Sequence, residues 1–388
     1  KISGVWIMAY TTIDDPSEYF HIQLYTGNAS DDRDITNDAN AGDFKPDWLW
    51  IKERNDTSSH QLIDSNRGAR YAALSDSTNA EDDDQNRVQA FNTDGFQVGT
   101  ASTVNENNKT YVAWQWKCNG GSASASGSES GNNVAYSRQT NTTAGFSIIT
   151  YTGIGTSSSG SPVVPHGLGV VPDMLIIKNR SSNSTDWAIW FKIENPAGTN
   201  VFQGFDTGAH GGSDGASHFG DVAPNSTNIS LGATPGSGDT ASNRTNTDGD
   251  NYVMYAFNSV KGYSKFGQYV GNGNADGPYI HLGFKPRFIM IKGVERTSSW
   301  FLIDSARDIN SLGAANTDGS ADAQHQQIFA DAADAESTYN SSAGDFLANG
   351  YKLRGTNAST NTNGEEFVYM AFAENPFVSS KGTPTTAR

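Results

Sequence analysis

FKPRFIMIK, from Phe284 to Lys292, is the third appearance of one nine-residue phrase: FKPDWLWIK runs from Phe44 to Lys52, and VVPDMLIIK from Val170 to Lys178. In each, a proline leads into an unbroken apolar run that closes on a lysine. Four or five apolar residues behind a residue that cannot donate to a β-ladder predict a strand buried on both faces. The polar position after the proline drifts between Asp47, Asp173 and Arg287, while the apolar middle recurs. A catalytic motif would hold its polar atoms and let the filler drift. The phrase reads as a structural strand built three times.

Aligned on Pro46, Pro172 and Pro286, the rest of the chain falls into register. An aromatic–small–Gly turn precedes each proline: Tyr25 and Tyr151 lie 21 residues upstream, Tyr269 17 upstream. At 14 or 15 residues downstream stand His60, Trp187 and Trp300. The first and third copies then tighten into HQLIDSNR (60–67) and WFLIDSAR (300–307), with Asp64 and Asp304 at +18 and Arg67 and Arg307 at +21. Each copy ends on a small–aromatic strand: TYVAWQW (110–116), NYVMYAF (251–257) and EFVYMAF (366–372). Period-2 alternation sets Tyr111, Ala113 and Gln115 on one face and Val112, Trp114 and Trp116 on the other. A repeat of roughly 115–125 residues is too long for a solenoid unit and right for tandem domains.

The expected fold is all-β: three tandem β-sandwich domains of jelly-roll or lectin-like type, with long polar loops. An N-terminal strand or linker would occupy 1–19, followed by β domains at 20–118, 119–260 (opening with a linker at 119–144) and 261–388. The Gly/Ser-rich stretch 119–133 and the short 259–264 read as linkers, and the polar insertion 202–250 as an elaborated loop. Helical periodicity is nearly absent. The Ala-rich segment 321–337 reads as a short surface helix or a loop.

Composition agrees. Aromatics reach 11%, too many for an unfolded polar chain, and 41 glycines with Ser, Thr, Asn and Asp fill the spaces between apolar runs. The net charge of −16 argues against nucleic acid, whose phosphates need a basic face. It fits a self-repelling surface that can meet divalent cations. A lone Cys118 allows no intrachain disulfide. No apolar run has the length of a membrane span, so membrane insertion is not expected. No signal peptide is visible, and the chain opens on Lys1 as a processed, truncated or partial chain would.

Three strings carry a resemblance: NTTAGFSIITYTG (141–153), VPHGLGVVPDMLIIKNR (164–180) and FVYMAFAENPF (367–377). Together, and in this order, they resemble a repeat domain of tail-fibre and other structural proteins of marine bacteriophages. The resemblance covers nearly the whole chain after about residue 20. It implies a virion structural protein, an appendage, and supplies no catalytic residues. The second copy departs from the pattern by lacking the Asp and Arg at +18 and +21.

Few residues stand out as sites. Asp64 with Arg67, and Asp304 with Arg307, suit a planar ion pair tying a strand end to the next loop. The sharper reading makes each Asp a ligand-binding carboxylate. Trp114, Trp116 and Trp300, with Trp187 and Trp190, are candidates for a sugar-stacking face, against the alternative of core or subunit interface. Acidic clusters occur at Asp31, Asp32 and Asp34, at Glu81 with Asp82, Asp83 and Asp84, and at Asp248 with Asp250. They offer the oxygens that Ca²⁺ takes from loops. A complete calcium-loop pattern is missing, so solvated acidic turns are the plainer reading and calcium the one candidate cofactor. His166 and His281 read as turn histidines bonded to backbone, and Cys118 as inert.

No nucleophile elbow, phosphate cradle or zinc-protease helix occurs, and catalysis is not expected. A glycosidase pair is set by a spatial separation that sequence does not show. The expectation is a virion protein on the particle surface, in a tail fibre or other appendage that contributes to host attachment. Its partners would be further copies of itself, with a trimer as the fibre symmetry, other virion proteins, and a host-surface glycan or protein. The rivals are a capsid-decorating protein and a secreted carbohydrate-binding module or glycosidase.

Overall fold

The three apolar phrases lie at the centre of three antiparallel sheets, as the strands Trp48–Glu53, Met174–Asn179 and Phe284–Gly293. The computed structural model of the chain describes residues 10–38, 44–155, 161–192, 201–202, 204–205, 208, 218–220, 222–232, 243–307, 325–339 and 344–385. In the first sheet the strand order is Phe20–Thr26, Thr110–Trp116, Trp48–Glu53, Gln61–Asp64, Tyr71–Ala73, Asp82–Asp83. The third repeats that order: Ser264–Val270, Glu366–Pro376, Phe284–Gly293, Phe301–Asp304, His325–Phe329, Ser337–Tyr339. The second keeps Phe146–Thr152, Asn251–Phe257, Met174–Asn179, Ala188–Phe191 and Val201–Phe202, and adds Ala125–Gly127 and Tyr136–Asn141 at one edge. Both added strands fall within 119–144, the segment expected as a linker, which is therefore part of the second sheet.

Each large sheet is accompanied by a small one. These are Arg33–Ile35, Phe96–Val98 and Val88–Phe91 in the first unit, and Val163–Pro165 with Asn228–Ser230 in the second. The third unit has Tyr279–His281, Gly350–Leu353 and Gly344–Leu347. The protein is nearly all β, with several antiparallel sheets, none of them closed among the described residues. Nearly half of the insertion at 202–250 lies outside those residues, and its described part is not all loop: it holds the strand Asn228–Ser230 and the short helix Asn243–Asn246.

Alternation along the strands decides where each side chain goes. Leu49 and Ile51 join Ile35, Phe96 and Val98 in the first unit's own core, while Trp48 and Trp50 face the other way. Likewise Leu175 and Ile177 belong to the second unit's core and Ile289 and Ile291 to the third's. The opposite faces do not meet water. They pack on one another in a fourth, shared core. The closing strands supply it one residue per unit at each register position: Val112, Val253 and Val368, then Trp114, Tyr255 and Met370, then Trp116, Phe257 and Phe372. A strand buried on both faces has no solvated side on which to place polar residues, which is why the repeated phrase is continuously apolar. Each such side chain contributes about 1.5–3 kcal/mol by leaving water, so the shared core couples the folding of the three units.

The Gly of the aromatic–small–Gly turn is required by close approach. A Cβ on Gly27, Gly153 or Gly271 would lie 2.1, 2.2 or 2.2 Å from the carbonyl oxygen of Glu106, Thr247 or Thr362. The tyrosine two residues earlier stacks on the first aromatic of the closing strand, as Tyr25 on Tyr111, Tyr151 on Tyr252 and Tyr269 on Phe367. A one-turn helix precedes each closing strand, at Ser102–Asn105, Asn243–Asn246 and Ala358–Asn361, and ends in a buried asparagine. Asn361 accepts from the Asn272 backbone N–H and donates to the Asn274 and Gly355 carbonyls. Asn105 and Asn246 do the same in their units.

The Ala-rich segment corrects one expectation. Its described part is no helix: His325–Phe329 pairs with Phe301–Asp304 and with Ser337–Tyr339. Ile328 and Ala330 enter the shared core, where the sheet needs a small residue, and tertiary packing overrides the helix preference of alanine.

Candidate functional site

Gln61–Asp64 and Phe301–Asp304 each end in a carboxylate that the following turn wraps. Asp64 accepts from the backbone N–H groups of Asn66 and Arg67 at 3.0 and 2.9 Å. Its second oxygen receives the Arg67 Nε and the Tyr255 hydroxyl, the latter at 2.8 Å from the second unit. Asp304 is held alike by Ala306, Arg307 and the Trp114 indole N–H, at 3.0 Å from the first unit. Both ion pairs have fully buried side chains. Burial opposes the charge on Arg67, but Asp64, Tyr255 and Glu81 more than offset it, and the guanidinium is held ionised.

A glutamate extends each pair across to the next unit. Glu81 accepts from Arg67 and takes a two-pronged contact from Arg180 of the second unit, at 2.9 and 2.7 Å. Glu336 accepts from Arg307 and takes the same contact from Arg54 of the first unit, at 3.0 and 2.8 Å. Even the main chain matches: Glu81 N–H donates to the Arg180 carbonyl, and Glu336 N–H to that of Arg54. Around the shared core the third unit grips the first, and the first grips the second.

At the junction of the second with the third, three of the equivalent positions are described, and all three are apolar. Phe191 stands where Asp64 and Asp304 stand, Met370 where Trp114 and Tyr255 stand, and Val294 where Arg54 and Arg180 stand; all three are buried in the shared core. The missing Asp and Arg of the second copy thus have a physical reason. Met370 has no side-chain N–H or O–H, so a carboxylate there would lack the donor that Tyr255 and Trp114 supply from the neighbouring unit.

The residues at +14 or +15 also cross between units. The His60 Nε2 meets the Phe329 carbonyl at 2.9 Å, while its Nδ1 accepts from the Trp50 indole at 2.8 Å. Trp187 donates to the Leu74 carbonyl, which is equivalent in register. Burial pushes the His60 pKa down to about 3 and that of neighbouring Lys52 down to about 8. Lys52, Lys178 and Lys292, the closing lysines of the phrase, are buried and donate to carbonyls.

Trp114, Trp116 and Trp300 all lie in the shared core, at most 1% exposed. They therefore present no stacking face to solvent. Asp64 meets Tyr255 and Asp304 meets Trp114. Among the acids, Asp82 is paired with Arg87 and Asp83 with Arg70, and Asp84 accepts from the Asn86 N–H. Asp250 accepts from Asn179, and Asp248 lies in the turn beyond the one-turn helix. Among the described residues no three His, Cys, Asp or Glu side chains gather as a metal group. His166 is buried and meets the Asn225 carbonyl, and burial pushes the Cys118 thiol up. A polar cleft of about 560 Å³ between the first and third units is lined by Asp14, Asp15, His21, Asp38, Arg287 and Glu374. Several of these are engaged already: Asp14 by Ser380, Asp15 by Ser17, Glu374 by Lys285.

Sequence reasoning missed the glutamate–arginine bridges and the asparagine pins. The pins carried a signal: Asn105, Asn246 and Asn361 each stand six residues before Tyr111, Tyr252 or Phe367.

These features define an all-β protein in which three repeated units share one core within a single chain. The chain belongs to the family described as Domain of unknown function (DUF7483), whose model matches residues 15–376. One family model thus spans all three units. No curated protein and no solved structure matches the chain.

Proposed function

We propose that the chain is a structural protein of a bacteriophage particle: a tail fibre or other surface appendage that contributes to host attachment. In this reading its units are three tandem β-sandwiches of jelly-roll or lectin-like type. The observation that carries the reading is where the buried charges go. Asp64, Arg67, Asp304 and Arg307 are spent on joining units, as befits a rigid building element rather than a catalyst. The resemblance of the strings at 141–153, 164–180 and 367–377 to phage structural proteins gives the particle, and the charge of −16 suits an exposed, self-repelling surface. Contacts with other virion proteins and with a host-surface glycan or protein would fall to the polar loops. Electron cryomicroscopy of the purified particle tests this, with density for the chain expected on an appendage. Absence of the chain from particles, with binding of the free protein on a glycan array, would instead support a secreted carbohydrate-binding module.

A further inference from the structure

We infer that the junction between the third and first units is an exchangeable interface. It closes within one chain, and the same two surfaces join two copies of this chain head to tail when closure is weakened. This does not rest on the proposed function. Each junction is heterologous, one face of a unit against a different face of the next. Such contacts make a ring if the rotation closes and a filament if it does not. Here three units complete the turn. Two junctions are bridged by short chain: residues 117–124 lead from the first large sheet into the second, and 258–263 from the second into the third.

The third-to-first junction has no such bridge. Arg54 meets Glu336 across 282 positions and Trp114 meets Asp304 across 190. Non-covalent contacts alone hold it, including His60 on the Phe329 carbonyl, Ser75 on the Ala330 carbonyl, and Asp14 on Ser380. Its chemistry also repeats that of the first-to-second junction, so an opened Glu336 face on one chain finds a fitting Arg54 face on another.

The test mixes isotopically light and heavy full-length chains and reads native mass spectra. The wild-type chain is expected to show almost no mixed light–heavy dimer, because its own third and first units satisfy each other. Arg54→Ala and Arg180→Ala remove the same two-pronged contact, the first from the unbridged junction and the second from a bridged one. Mixed light–heavy dimers are expected at a fraction about tenfold higher for Arg54→Ala, because a short tether keeps the bridged faces at high effective concentration. Arg54→Lys keeps the charge without the fork, and supplies the comparison if the alanine variant does not fold. Equal dimer fractions for the Arg54 and Arg180 variants overturn the proposal, as do Arg54 variants that remain wholly monomeric. A wild-type chain that already forms mixed dimers at the level of Arg54→Ala overturns closure within one chain.

Discussion

The indole N–H of Trp114 donates to the carboxylate of Asp304, 3.0 Å away and 190 positions later in the chain, while the Arg307 guanidinium lies 5.3 Å from the indole ring. Trp114→Phe keeps most of the apolar area and removes the donor. A hydrogen bond to a buried charged group contributes about 1.5–3 kcal/mol, so urea denaturation is expected to show a loss of that size. In an Asp304→Asn background the same change should cost less. Equal losses in both backgrounds would mean that the indole acts through packing alone.

The first unit's ion pair makes a sharper prediction. Arg67→Met leaves Asp64 buried beside an uncharged side chain, while Glu81 keeps Arg180, and stranding a buried charge costs about 3–5 kcal/mol. The double variant Asp64→Leu/Arg67→Met should recover part of that loss, since the second unit carries Phe191 at the equivalent place. A double variant as unstable as the sum of the two singles would show that the pair is not coupled.

The threefold repeat, the doubly buried strands and the division of the closing strand into two faces were legible in the sequence because each rests on local order: a proline, a period, a spacing. The partner of the second face was not. Nothing in TYVAWQW says whether Trp114 meets water, a ligand or another unit, because that depends on contacts between residues over a hundred positions apart. The Asp at +18 was visible, but its reason was not: Asp64 answers Tyr255, and Phe191 has its counterpart in Met370. Alanine content misled over the described part of 321–337, from His325 on, where a weak local preference met a sheet that needed a small residue.

The asparagine pins should be interchangeable in importance. Asn105, Asn246 and Asn361 each make the same three hydrogen bonds to backbone from buried side chains, and Asn105 accepts a fourth from Arg33. At roughly 1 kcal/mol for each bond, an alanine at any of the three should cost about 3 kcal/mol in chemical denaturation. Asparagine→Asp should cost more, because an acceptor would then face two carbonyls. A large effect at one position with none at the others would break the equivalence of the units.

The turn glycines allow no side chain. Gly153→Ala would place a methyl about 2.2 Å from the Thr247 carbonyl oxygen, a backbone atom, and 3.1 Å from the buried Tyr252 ring. The variant is expected to accumulate as insoluble protein, or to melt well below the wild type by calorimetry. Gly249→Ala is the contrast: nothing lies near its Cβ position, and only its positive φ of 77° resists substitution, for roughly 1 kcal/mol. Equal stabilities of the two variants would sink the close-approach argument.

Acid should act on the same junction through His60. Burial, reinforced by the positive charges of Lys52 and Arg307 and only partly opposed by the carbonyls of Phe329 and Ala332, pushes its folded pKa down to about 3 from the ordinary 6.5. The unfolded chain therefore takes up a proton near pH 6.5 that the folded chain refuses. Stability owed to neutral His60 is present in full above that pH and falls away as the pH drops towards 3, by at most about 1.4 kcal/mol per pH unit. Protonation would also put a hydrogen on Nδ1, where the Trp50 indole now donates. Between pH 5.5 and 4 the wild type should lose about 2 kcal/mol more than His60→Gln in parallel urea titrations. Identical pH slopes for the two proteins would remove His60 from the account of acid sensitivity and leave it to the carboxylates.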